Sequence, residues 1–125
     1  QRWRVGINVP QINAPLDAVY HAVSLENQAL ATSGNYRNFF EVDGKRYSHV
    51  FDPRTGYPVS NNVVSVSIVA DTCTLADGLA TGVMVMGSEE GLELIHQWDG
   101  VEGLIVTQSA GSLTDYPSKG FKISQ

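Results

Sequence analysis

The chain has 125 residues, a formal net charge of −5, 42% hydrophobic residues and 17% charged residues. That length suits a single domain (residues 1–125) with a core of its own, and the composition is that of a folded chain. The acidic balance with no basic cluster argues against nucleic acid as a partner, the lone Cys73 excludes an internal disulfide or a multi-cysteine zinc site, and no run of about 18 apolar residues is present to span a membrane.

Trp3, Val5, Ile7 and Val9 alternate with polar or small residues, which predicts a half-buried strand ending at Pro10. Residues 11–17 read as a loop. The run from Val19 to Leu25 reads as a strand or a short helix, and Glu26-Asn27-Gln28 then reads as a turn before Ala29–Thr32, so a hairpin is favoured there. Phe39–Val42 and Arg46–Val50 flank Asp43-Gly44, a pair suited to a type I′ turn because both central positions need positive φ. Residues 52–62, with Pro53, Gly56 and Pro58, form a loop, and Val63–Ala70 is a β-branched strand.

Asp71-Thr72 can cap a helix that begins at the next residue. Leu75, Leu79, Val83 and Met86 recur at helical spacing and predict that helix from about Cys73 to Met86, closed by Gly87. A second helix opens at Ser88-Glu89-Glu90, runs to about Gln97 and ends at Asp99-Gly100. Val101–Thr107 is the next strand, and the polar tail holds a last strand near Phe121–Ile123. The expected class is α+β, a mostly antiparallel sheet with two helices packed on it.

Three groups of residues can carry chemistry. Asp77 and Thr81 lie four apart and share a helix face, so a carboxylate and a hydroxyl offer two hard oxygen ligands to Mg²⁺ or Ca²⁺. The competing reading has Thr81 donating back to the Asp77 carbonyl, with the carboxylate in solvent. His49 and Asp52 bracket a strand end before Pro53-Arg54-Thr55-Gly56, where a histidine can act as a general base near neutral pH. The alternative is a surface histidine beside an ordinary turn. Ser33-Gly34-Asn35 with Arg37 nearby can hold phosphate oxygens through backbone N–H groups and a guanidinium, or can be a plain polar turn. His21 and His96 read as surface or edge residues, Cys73 as a packed helix residue, and Met84 and Met86 as core or interface filler.

Together these segments resemble a known family. Ser33-Gly34-Asn35-Tyr36-Arg37-Asn38-Phe39-Phe40, then Gly44-Lys45-Arg46-Tyr47-Ser48-His49-Val50-Phe51-Asp52-Pro53-Arg54-Thr55-Gly56-Tyr57-Pro58, then Ala76-Asp77-Gly78-Leu79-Ala80-Thr81 are similar in order and spacing to the C-terminal part of the ApbE family of FAD:protein FMN transferases. Trp3-Arg4-Val5-Gly6-Ile7 resembles a strand in the middle of family members. Gly78 departs from the alanine that commonly follows the metal aspartate, and it removes no ligand.

The resemblance implies a T-fold-like α+β architecture and a Mg²⁺-dependent attack of a threonine hydroxyl on the FMN phosphorus of FAD. AMP would leave, and FMN would stay on the target protein through a phosphoester. It assigns Asp77 and Thr81 as metal ligands and His49 as general base. Asp52, Arg54 and Thr55 would shape the flavin or pyrophosphate pocket, and Ser33, Gly34 and Arg37 would contact nucleotide or target peptide. It further implies a bacterial cell-envelope protein, lipid-anchored to the inner membrane and facing the periplasm, acting on subunits of membrane redox complexes. Family members are more than twice this long, so the chain alone is expected to be inactive and to self-associate or require the N-terminal part. FAD hydrolysis to FMN and AMP, and a non-catalytic flavin-binding module, are the alternative readings.

Overall fold

The computed structural model describes residues 3–10, 19–34, 39–42, 45–48, 54, 62–109 and 112–122. In chain order the elements are β1 (Trp3–Asn8), β2 (Val19–Leu25), β3 (Ala29–Gly34), β4 (Phe39–Val42), β5 (Lys45–Ser48), β6 (Val63–Ala70), α1 (Cys73–Met86), α2 (Ser88–His96), β7 (Glu102–Ser109) and β8 (Ser112–Pro117). The fold is α+β, as the sequence pattern predicts. Its centre is a four-stranded antiparallel sheet in the order β3-β6-β7-β8.

β6 is rich in valine and isoleucine and is buried along its whole length, because both faces of the sheet are covered. On one face Val63, Val66, Ile68 and Ala70 meet the stripe Ala76, Leu79, Ala80, Val83 and Met84 of α1, together with Ile95 of α2. On the other face Val64, Val69, Leu104 and Val106 meet Ile7, Val23 and Leu25 of the β1–β2 hairpin, with Phe121 closing the end. The ladder with β7 shifts register between Val63 and Ser65. That bulge puts Val64 on the hairpin face although strict alternation would turn it to the helices.

Both helices are bounded by identifiable local chemistry. The Thr72 hydroxyl accepts from the Leu75 N–H at 3.2 Å, which caps α1. Gly87, at φ 91°, ends α1 by donating to the Val83 carbonyl at 3.1 Å and at once starts α2. Glu89 and Glu90 in the first turn of α2 and His96 in its last turn complement the helix dipole. α2 lies close to its neighbours because two glycines let it. A Cβ on Gly91 would sit 2.6 Å from Val83 Cγ1, and one on Gly103 of β7 would sit 2.8 Å from the Cδ1 atoms of both Ile68 and Ile95.

Several expectations need correction. Val19–Leu25 and Ala29–Gly34 are both strands, but they do not form a hairpin: β2 pairs with β1, and β3 pairs with β6 in another sheet. Asn27, at φ 56°, turns the chain between the two layers. The last strand lies at Ser112–Pro117, and Phe121 is a buried plug on the hairpin-side core, outside any strand. Cys73 is exposed on the first turn of α1, and Met86 and Trp3 are exposed. The β4–β5 hairpin is present with Val42 opposite Lys45; its turn residues Asp43 and Gly44 lie outside the described residues.

Candidate metal site at the crossing of α1 and β3

The buried stripe of α1 leaves Asp77 and Thr81 on its flank, where both are exposed. The neighbouring element there is β3, the edge strand of the main sheet. Side chains of β3 alternate between faces, and its register with β6 decides which way each one points. Thr32 stands opposite Ser67 and shares the hairpin face with it, their hydroxyls 2.9 Å apart. Ala31 and Ser33 stand opposite Ile68 and Val66, so they face α1.

This places the Ser33 Oγ 3.4 Å from the Thr81 Oγ1, across a sequence gap of 48 residues. The Thr81 hydroxyl donates to the Asp77 carbonyl at 3.1 Å. Its single proton is thereby directed into the helix, and its lone pairs stay available on the side where Ser33 lies. The back-bond that competes with ligation on sequence grounds is therefore present, and it does not occupy the lone pairs a cation would use. Among the described residues no hydrogen bond or ion pair engages the Asp77 carboxylate.

The donor set of Asp77 and Thr81 is one carboxylate and one hydroxyl, both hard oxygens, which suits Mg²⁺ or Ca²⁺ better than a soft-ligand metal. Among the described residues no group of three or more His, Cys, Asp or Glu gathers to hold a metal ion. A site with few protein ligands and open exposure fits Mg²⁺, which keeps waters and shares its coordination with substrate phosphates. Gly34 ends β3 next to this corner, and Arg54 is exposed in a turn. His49, Asp52, Thr55 and Arg37 lie outside the described residues.

A second polar cluster was not foreseen from the sequence. Asp115 of β8 accepts from the Tyr20 hydroxyl at 2.5 Å through Oδ1 and contacts His21 Nε2 at 2.7 Å through Oδ2. The two rings of β2 stand 4.2 Å apart, centroid to centroid. Burial raises the Tyr20 phenol from its ordinary 10.0 to about 12, with the hydrogen bond and charge of Asp115 acting in the same direction. His21 is thus an interlayer contact and not a plain surface residue. The only advance signal is the inward position of Asp115 in the alternation of Ser112–Pro117.

The model of the ApbE family matches residues 1–105. The FAD:protein FMN transferase of Vibrio cholerae is 42% identical over 120 residues, which is 96% of this chain and 35% of that protein. The protein of the same name from Escherichia coli is 40% identical over 120 residues, covering 96% of this chain and 33% of its own length. Among solved structures, the flavin transferase ApbE from Vibrio cholerae superposes with a TM-score of 0.78 at 39% identity, covering 95% of this chain and 36% of that one. The ApbE protein of Thermotoga maritima gives 0.75 at 36% identity, over 94% of this chain and 36% of that one. The chain spans about a third of the length of the relatives it matches.

Proposed function

Because this chain belongs to the ApbE family, we propose that it carries the metal-binding corner of an enzyme that moves FMN from FAD onto a threonine hydroxyl of a target protein. The observation that carries this reading is the meeting of Ser33 with Thr81, one helical turn beyond Asp77. It is supported by 40% and 42% identity to proteins named FAD:protein FMN transferase.

In this reading Asp77 and Thr81 hold Mg²⁺, which when bound neutralises pyrophosphate charge and polarises the reacting phosphorus. The net charge of −5 on these 125 residues would otherwise repel a dinucleotide. His49 takes the proton of the threonine hydroxyl as that oxygen bonds to the phosphorus of the FMN half. The phosphorus–oxygen bond to the AMP half breaks, AMP leaves with the bridging oxygen, and FMN remains as a phosphoester. In this reading Asp52, Arg54 and Thr55 shape the flavin or pyrophosphate pocket, and Ser33, Gly34 and Arg37 contact nucleotide or target peptide.

The targets in this proposal are flavin-carrying subunits of redox complexes, and the setting is the cell envelope, with a lipid anchor at the inner membrane facing the periplasm. Because the chain spans about a third of its relatives' length, the rest of the FAD pocket is supplied by protein beyond these residues or by a second copy. The chain by itself is expected to be inactive.

The test uses the full-length protein with FAD, Mg²⁺ and an acceptor protein bearing a threonine flavinylation site. Mass spectrometry is expected to show the acceptor gaining one FMN, with the gain abolished by both Asp77→Ala and His49→Ala. Release of FMN and AMP with an unmodified acceptor would replace the transferase by an FAD hydrolase. Neither product would leave a flavin-binding module.

A further inference from the structure

We propose that Ser33 is a positioning residue for the metal ligand Thr81, so that the divalent-cation site is built jointly by the end of β3 and the flank of α1. This rests on Asp77 and Thr81 being metal ligands, as in the proposed function, and it turns that site from a feature of one helix into a junction of two elements.

A threonine inside a helix divides between two χ1 wells, one of which lets Oγ1 bond the carbonyl four residues back. Thr81 is in that well, donating to the Asp77 carbonyl at 3.1 Å. With its only proton so committed, the contact of 3.4 Å to Ser33 has one available sense: the Ser33 hydroxyl donates and Thr81 accepts. A bond this long contributes little to overall stability. It acts on the choice of rotamer, because the other well would carry the oxygen away from Ser33.

The placement of Ser33 is specific to that task. The helix-facing positions of β3 are Ala29, Ala31 and Ser33, which stand opposite Ala70, Ile68 and Val66 of β6. The first two are small and apolar and let α1 pack closely, with Ala31 against the helix-side core. Ser33 is the polar exception on that face, at the half-buried outer end of the strand, next to Gly34 where the strand stops. Thr32, one residue earlier, spends its hydroxyl on Ser67 on the opposite face and takes no part.

A cation draws on the lone pair of Thr81 that Ser33 does not occupy, so Ser33 can hold the ligand in place while the ion is bound. Groups that act through a ligand in this way commonly change metal affinity ten- to a hundredfold when removed.

The experiment measures Mn²⁺ binding to the full-length protein by calorimetry and by the electron paramagnetic resonance spectrum of the bound ion, without FAD or acceptor. Wild type is compared with Ser33→Ala, Ser33→Thr and Asp77→Ala, and thermal midpoints are recorded for all four. The expected result is a dissociation constant raised roughly ten- to a hundredfold in Ser33→Ala, with an altered spectrum and an unchanged midpoint, and a return to within about threefold of wild type in Ser33→Thr. Ser33→Ala that binds Mn²⁺ as wild type does, while Asp77→Ala does not bind, would overturn the role of Ser33 and leave the site standing. Asp77→Ala that binds as tightly as wild type would remove the site itself, and the role of Ser33 with it.

Discussion

Among the described residues, two polar corners lie where different layers meet, and they are built in opposite ways. At the seam between β2 and β8, both oxygens of Asp115 are taken, by Tyr20 at 2.5 Å and by His21 at 2.7 Å. At the crossing of β3 and α1, the contacts are 3.1 Å and 3.4 Å, and they leave one lone pair on Thr81 and the whole carboxylate of Asp77 open among the described residues. The first corner sits half-buried and consumes its own hydrogen-bonding capacity. The second is exposed and keeps capacity in reserve. A saturated cluster holds layers together, whereas an unsaturated one on a rigid frame can accept a ligand without first breaking anything.

This contrast is open to direct attack. Asp115→Ala should be the most damaging change to stability, by about 2 kcal/mol, because it strands a phenol and an imidazole that now share one charged acceptor. Thr81→Ala, by comparison, should alter stability by less than about 0.5 kcal/mol, since its hydroxyl is exposed and makes only the back-bond to the helix and a long contact to Ser33. Denaturant midpoints of the full-length protein decide between them, with Mn²⁺ binding measured in parallel. Asp115→Ala is expected to bind the ion normally and Thr81→Ala weakly. Equal destabilisation by the two would erase the distinction.

Tyr20→Phe asks how much of the seam depends on the phenol, and the expected loss near neutral pH is about 1 kcal/mol. It also carries a pH signature. The phenol is raised from 10.0 to about 12 in the fold, so the folded state holds its proton more tightly than the unfolded state. The stabilisation is therefore complete below about pH 10 and is lost as pH rises through about 12. Wild type should lose stability over that alkaline window faster than Tyr20→Phe does. Parallel decline of both proteins between pH 10 and 12 would show that the phenol is not raised in the fold.

The two corners also differ in how far the sequence announces them. Asp77 and Thr81 are visible because a helix fixes which residues share a face, and the apolar spacing that defines α1 predicts Cys73–Met86 with its Thr72 cap and Gly87 stop. Strand β6 is equally plain from its β-branched run. Pairing across layers is not encoded locally. Val19–Leu25 and Ala29–Thr32 read as two arms of a hairpin, yet β6 offers β3 a fully buried partner, and β1 pairs with β2. β8 escapes notice because its inward position holds Asp115 where alternation calls for an apolar residue, and that aspartate has meaning only beside Tyr20 and His21. The approach of Ser33 to Thr81 depends on the same long-range pairing.

The smallest expected effect concerns Gly78, which sits beside Asp77 on the exposed side of α1. A Cβ there would meet nothing within 4 Å, and the same holds for Gly82, one turn on beside Thr81. Helix propensity alone then predicts that Gly78→Ala stabilises the protein, by at most about 1 kcal/mol, through a less flexible unfolded chain. If the reserve capacity of this corner resides in the side chains of Asp77, Thr81 and Ser33, stiffening the backbone between Asp77 and Thr81 should leave Mn²⁺ affinity where it is. A stabilised variant with weakened ion binding would instead locate part of that capacity in the give of the helix itself. The unsaturated corner would then differ from the Asp115 seam in its backbone as well as in its hydrogen bonds.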